Sequence, residues 1–368
     1  MKLLVQPGDG IGPLVKAIER AKERVQIVIF RFDRLEIEKA LEDAVKRGVA
    51  VEALIAFTNH GGEKNLRKLE MRFLERGVKV ARTADDLVRY HGKMMIVDGS
   101  ELFIFAFNYT RLDIEASRSF GISTGDKELI GEALKLFECD CTRKPYKPNS
   151  SRFLVSPMNA RREIAQFIKG AEKELLIYDV KITDRDMIRL LEERARDGVE
   201  VRIIGKIARH GPQIAVRKTK MRLHARVIVR DRKHAFLGSQ SMRELELDSR
   251  REIGTIFSDE KALKRLLEVF EEDWKTGAVA DDSETDVAVK PPATKVAKKV
   301  AKRFSQDLPP VAPVIEQAVK DVLPNGAAAD IDHDEIEASV QSAVKEVVKQ
   351  VVRENVEDAI EQQREPEP

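Results

Sequence analysis

Two short stretches carry the side chains best suited to chemistry. His91 and Lys93 stand two apart in Tyr90 to Asn108, YHGKMMIVDGSELFIFAFN, and His224 and Arg226 stand two apart in LHARVIVRDRKHAFLGSQS. Residues two apart on an extended strand project to one face, so each histidine stands beside a fixed cation. That pairing suits an anionic substrate. In both stretches an aspartate follows five positions after the cation, Asp98 and Asp231, with the opposite parity. This parity suits Asp98 to bracing the Asp98-Gly99 turn more than to touching substrate. Either stretch alone reads as an ordinary hairpin with an exposed histidine. Their recurrence, 133 positions apart (224 − 91), does not.

The elements that lead into these hairpins repeat too. Leu3 to Val5 reads as a strand, Pro13 to Arg24 as a helix and Val25 to Phe32 as a strand. Leu35 to Arg47 reads as a helix stopped by Gly48, and Val49 to Phe57 as a further strand. Thr58 to Asp86 adds a polar loop with His60, a helix over Lys64 to Arg76 and a strand over Val78 to Thr83. After a Pro- and Lys-rich junction, Lys144 to Asn149, the order restarts with a helix over Ala160 to Ala171 and a strand over Glu174 to Lys181. LLEERARDGVEVRI from Leu190 echoes ALEDAVKRGVAVEAL from Ala40, with Gly198 lying 150 positions after Gly48. The first copy thus holds 17 more residues (150 − 133), assigned to Thr58 to Tyr90. Long amphipathic helices, Lys127 to Phe137 and Glu260 to Trp274, close the copies. Helix and strand in alternation predict a duplicated α/β protein with a first unit over 1–143 and a second over 150–275.

Composition bounds the rest. The chain has 368 residues, 42% hydrophobic and 35% charged, enough for a substantial core. Its net charge of +2 hides an asymmetry: residues 276–368 carry 11 Lys/Arg and 19 Asp/Glu, leaving a net of +10 on the front. A basic front fits a phosphate-bearing partner, lipid or nucleic acid. The tail reads as a largely disordered linker over 276–333, including KVAKKVAKRF at 295–304, and an amphipathic helix over 334–362. That helix carries an apolar stripe at Ile336, Val340, Val344, Val347 and Val351, suited to packing on this chain or on a second copy. Cys139 and Cys141 are too close for an ordinary disulfide and read as reduced thiols of a cytoplasmic protein. No run is long enough to span a bilayer, so membrane contact is expected to be peripheral. His60, His210, His234 and His333 fall in polar or turn-like contexts.

The two hairpins together resemble the signature of the phospholipase D superfamily, HxKxxxxD followed by GSxN. His91, Lys93, Asp98 and Asn108 match in the first copy; His224, Asp231, Gly238 and Ser239 match in the second. The resemblance covers about residues 1–275. It implies that two α/β/α units pack as a pseudo-dimer and bring both histidines into one cleft. It also implies that His91, Lys93 and Asp98 in the first copy and His224, Arg226 and Asp231 in the second are catalytic, with the first-copy histidine the nucleophile, giving attack to His91 and protonation to His224. The family places a carboxylate after the hairpin to hold its histidine. Glu252 lies 28 positions after His224 and is expected to pair with it and raise its pKa, whereas the same step from His91 reaches Ser119, with Asp113 or Glu115 as substitutes. Arg226 stands where the family has lysine, Phe105-Ala106 where Gly-Ser is usual, and Ser241 where asparagine is usual.

The chemistry matches the residues. Phosphodiester transfer without a metal needs a nucleophile, a proton donor for the leaving alkoxide and cations around the phosphate oxygens. One neutral and one protonated imidazole meet the first two needs. Lys93 and Arg226 supply charge, and Asn108, Ser239 and Ser241 supply uncharged hydrogen bonds. No His, Cys and carboxylate cluster has metal-ligand spacing, so neither metal nor cofactor is expected. The leading expectation is a phospholipase D-type hydrolase acting on phospholipids through a phosphohistidine, with phosphatidyl transfer as a variant. The alternatives are a nuclease of the same superfamily and a catalytically impaired scaffold.

Overall fold

The structure, a computed structural model, describes residues 1–57, 63–84 and 87–279, all within one compact unit. The expected linker beyond residue 279, the helix over 334–362, His60 and His333 lie outside these residues. No helix among the described residues is long and apolar enough to cross a membrane.

The chain is a duplicated α/β protein. In the first half the strands Arg24–Ile29, Ala50–Ile55 and Lys79–Arg82 run parallel in that order, with the hairpin Met94–Val97 and Glu101–Phe105 antiparallel on the other side of Arg24–Ile29. The second half repeats this with Glu174–Ile182, Glu200–Ile207 and Ile214–Lys218 parallel, and Arg226–Arg230 and His234–Gly238 as the hairpin. The helix Glu63–Glu75 accounts for the extra residues of the first copy; the second has only a short connection there.

Alternation along the strands decides what each face covers. In Glu174–Ile182, Leu175 and Ile177 pack under the helices Ala160–Lys169 and Arg185–Arg196, while Leu176 and Tyr178 belong to the core shared with the first half. Tyr178 meets Phe120 of the first half at 5.1 Å between ring centroids and Phe270 of the closing helix at 5.2 Å. One core therefore runs through both copies.

The hairpin turns show what the two aspartates do. Asp98 and Gly99 have φ of 51° and 56°, and Asp231 and Arg232 have 53° and 56°, the left-handed pair of a two-residue hairpin turn. Asp98 accepts from the backbone N–H groups of Lys22, Glu23 and Arg24 at 2.8–2.9 Å. Asp231 accepts from Glu172, Lys173 and Glu174 at 2.7–3.1 Å. Each carboxylate thus pins the start of the neighbouring parallel strand. Five residues at about 3.4 Å separate Lys93 from Asp98, on the order of 15 Å, so neither aspartate reaches the chemistry expected of the signature. We predict that Asp98→Ala lowers unfolding free energy by about 2–3 kcal/mol in urea titration, because three N–H groups lose a charged acceptor. A loss under about 0.5 kcal/mol, the range of ordinary surface changes, would contradict this role.

Candidate functional site

The two histidines do not sit inside regular strands. Arg89–Tyr90 pairs in parallel with Arg250–Arg251 of the second half, whereas Met94–Val97 pairs with Arg24–Ile29 of its own half. His91-Gly92-Lys93 is the crossing between these two sheets, which corrects the expected continuous strand. Gly92 permits the crossing, since a Cβ there would lie 2.6 Å from Ile253 Cδ1. The second copy crosses in the same way: Arg222–Leu223 pairs with Ser117–Arg118 of the first half before Arg226–Arg230 joins its own sheet.

This register sets each histidine against the other half. Arg250 faces Arg89 and Arg251 faces Tyr90, so the next position brings Glu252 to His91. The His91 N–H donates to Arg251 O at 2.7 Å, and His91 Nδ1 lies 2.9 Å and 3.1 Å from the Glu252 carboxylate oxygens. The expected pairing of Glu252 with His224 is therefore corrected: Glu252 holds His91. In the mirror-image position His224 meets Ser119, whose hydroxyl donates to His224 O, and the His224 N–H donates to Arg118 O at 2.9 Å. His224 finds its carboxylate elsewhere, in Asp113 of the helix Arg111–Glu115. Oδ2 of Asp113 is 3.2 Å from His224 Nδ1, outside good hydrogen-bond alignment. Glu115 pairs with Arg34 and Arg111 and serves neither histidine.

Lys93 is fully buried, with Nζ 2.7 Å from His91 Nε2 and 3.0 Å from Nδ1. A point so nearly equidistant from both ring nitrogens lies over the ring face. The in-plane lone pair of Nε2 is thus left facing away from the ammonium. Phe30 stands edge-on to the imidazole at 4.6 Å between centroids, and Lys93 Nζ and the Arg89 guanidinium lie 5.6 Å from the Phe30 centroid. Arg226 Nε donates to Ser241 Oγ at 3.2 Å, and its buried Nη1 has no hydrogen-bond partner among the described residues. A planar guanidinium with an unused buried N–H is a ready donor to an oxyanion.

Burial dominates the electrostatics. It pushes His91 well below the ordinary imidazole range, reinforced by Lys93, Arg226, Arg89 and Arg250. His224 falls likewise through burial, with Arg226, Arg222 and Lys93 adding and Asp113 opposing. The second-copy histidine is thus not raised, as expected of a Glu252 pairing, but lowered. Burial brings Lys93 down to about 7 and Glu252 up to about 7. Burial also raises Asp113, yet His224, Arg222 and the hydrogen bond from the Asn108 N–H together hold it well below the usual carboxylate range.

The uncharged groups are largely committed within the protein. Asn108 Nδ2 donates to Asp113 Oδ2 at 2.7 Å; Ser239 Oγ accepts from the Ile253 N–H at 3.1 Å. The Ser241 N–H donates to Glu246 Oε2 at 2.8 Å. These three residues brace the carboxylates and cations around the histidines. Sequence reasoning missed Glu246 and Asp179. Glu246 lies 22 positions after His224, as Asp113 lies 22 after His91, and that shared carboxylate offset was the signal. Asp179, within the strand Glu174–Ile182, accepts from the Met242 N–H at 2.9 Å; burial raises its pKa to about 6. No local pattern announces it. His210 and His234 are half-buried and outside this cluster. Among the described residues no group of three His, Cys, Asp or Glu is placed to hold a metal ion.

Comparisons with known proteins agree with this duplication. The family model described as "Cardiolipin synthase, PLD-like domain" matches residues 14–141 and 164–274, one match in each half. Polyphosphate kinase from Porphyromonas gingivalis superposes with a TM-score of 0.64 at 17% identity, over 82% of this chain and 55% of that one. The chain thus spans about half the length of that kinase. Phosphatidylserine synthase from Haemophilus influenzae Rd KW20 superposes with a TM-score of 0.60 at 12% identity, over 83% of this chain and 93% of that one. These likenesses are ones of fold. No curated protein matches the sequence.

Proposed function

The chain belongs to the phospholipase D-like family, and we propose that it is a phospholipase D-type phosphodiesterase that cleaves phosphatidyl lipids through a phosphohistidine on His91. One observation carries the reading: two buried imidazoles from different halves, each with a carboxylate near Nδ1, share one site with Lys93 and Arg226. The family description names cardiolipin synthase, and a protein of the same fold is a phosphatidylserine synthase. Both names are those of phospholipid enzymes and favour a phosphatidyl group over a nucleic-acid strand.

The roles follow from the hydrogen bonds. Glu252 accepts the Nδ1–H of His91 and so places the lone pair on Nε2, the tautomer a nucleophile needs. Nε2 attacks phosphorus, and the P–O bond to the leaving alcohol breaks with its electron pair going to oxygen. That oxygen takes a proton from the His224 imidazolium. His224 is neutral in the free protein by burial and the nearby cations, and the negative charge of a bound diester offsets both, raising its affinity for the proton. Water then attacks phosphorus, gives its proton to His224, and the P–N bond pair returns to Nε2. With water as the acceptor the product is phosphatidic acid; an alcohol in its place gives phosphatidyl transfer. Arg226 Nη1 and Lys93 hold the phosphate oxygens as charge develops.

Wild-type, His91→Ala and His224→Ala proteins are to be given phosphatidylcholine vesicles and, separately, single- and double-stranded DNA, without added metal. Choline release by wild type and its loss by at least about 10³-fold in both variants is the expected outcome, in line with removal of an essential nucleophile or acid. Cleavage of DNA with no choline release would transfer the site to nucleic acid, and no turnover of either would leave a scaffold.

The rate has a predictable pH dependence. The Lys93 ammonium is present below about 7 and lost above it. kcat/KM therefore falls as pH rises through about 7, and Lys93→Arg, whose cation persists, moves that basic limb upward. A limb at the same pH in Lys93→Arg would remove Lys93 from this role.

A further inference from the structure

The rim of the site is built by the segments at the carboxyl ends of the parallel strands, and the two halves line it with different chemistry. In the first half Leu35, at the start of the helix Leu35–Lys46, is 70% exposed. Phe57, just past the strand Ala50–Ile55, is 43% exposed, and Val88, beside Arg89, is 41% exposed. In the second half the position matching Leu35 is cationic, and further cations flank Ile207 and Met221, the apolar counterparts of Phe57 and Val88. Arg185 opens the helix Arg185–Arg196 at 150 positions after Leu35, and Lys220 lies 133 after Leu87. Lys206 and Arg209 extend this side from the end of the strand Glu200–Ile207. From Val201 to Arg230 the chain has nine Lys/Arg and no Asp or Glu. Arg185, Lys206, Arg209 and Lys220 are exposed and form no ion pair among the described residues, while nearby Asp186 is engaged by Arg189.

We propose that this rim docks the protein on an anionic phospholipid bilayer, with Leu35, Phe57 and Val88 entering the acyl boundary and the cationic side meeting lipid phosphates. The idea rests on the phosphatidyl reading for its purpose. An apolar edge beside an unpaired cationic edge is the pattern of an interfacial binding surface. Nucleic acid would use the cations but not the aliphatic side chains, and Phe57 alone among the three offers a ring for stacking on bases. His91 and His224 are only 6% and 9% exposed, so a lipid headgroup reaches them across this rim. Surface that delivers the diester and surface that binds its membrane are then the same surface.

Vesicle sedimentation of the full-length chain tests this, with phosphatidylcholine vesicles with and without phosphatidylglycerol. Lys206→Glu with Lys220→Glu is expected to weaken binding to the anionic vesicles by at least about tenfold and to flatten its salt dependence. Leu35→Ser with Phe57→Ser is expected to weaken it by about tenfold at any salt concentration. Both variants should turn over soluble bis(p-nitrophenyl) phosphate like wild type, which shows that they are folded. Unchanged vesicle binding in both variants would overturn the proposal, as would weakened binding to single-stranded DNA alone. Vesicle binding that depends on the rim, in a protein that releases no choline, would keep the docking surface and remove the phosphatidyl substrate.

Discussion

The site depends on a register exchanged between the two halves. Arg250–Arg251 runs beside Arg89–Tyr90, and Arg222–Leu223 runs beside Ser117–Arg118, so each histidine donates its backbone N–H to the opposite half and finds its facing side chain there. Slipping either pair by one residue would turn Glu252 away from His91, because alternate residues point to opposite faces. Gly92 packed on Ile253 and Tyr178 packed on Phe120 hold that register by steric fit and shared core. Neither half contains a complete site.

The exchange is symmetric in backbone and asymmetric in charge. The residue facing His91 is Glu252, while the residue facing His224 is Ser119, which can donate a hydrogen bond but brings no charge. Asp113 supplies the missing carboxylate from a different position, and it is shared with Asn108 and Arg222. Glu252 is devoted to His91 and aligned with it. A firmly oriented neutral imidazole and a loosely held one suit different tasks, attack in the first case and proton exchange in the second. Burying so many charges is costly unless every partner is kept, which makes the cluster sensitive to loss of any single member.

Much of this was legible in the residues. The repeated His-x-cation spacing, the echo around Gly48 and Gly198, and the 17-residue difference all correspond to structure, the last being the helix Glu63–Glu75. The partner of each histidine was not legible. Counting 28 positions forward finds Glu252 but cannot say which half it faces, because that is settled by a pairing across 161 residues of chain. Asp98 and Asp231 matched a signature yet serve the turns; their opposite parity already pointed that way. Phe30, just past the strand Arg24–Ile29, and Asp179, within Glu174–Ile182, carry no distinguishing local pattern, and only the fold brings them to the site. The matched positions Leu35 and Arg185 show the converse case, where the duplication gives meaning to residues that are unremarkable singly.

The central claim is that His91, held by Glu252, is the atom that takes phosphorus. It is tested most directly by acid- and alkali-quenching the protein during incubation with phosphate-labelled phosphatidylcholine and mapping the labelled peptide. The account predicts an acid-labile, alkali-stable phosphate on His91 in the wild type, absent in His91→Ala and sharply reduced in Glu252→Gln. Label on His224, or the same yield in Glu252→Gln as in wild type, would contradict it.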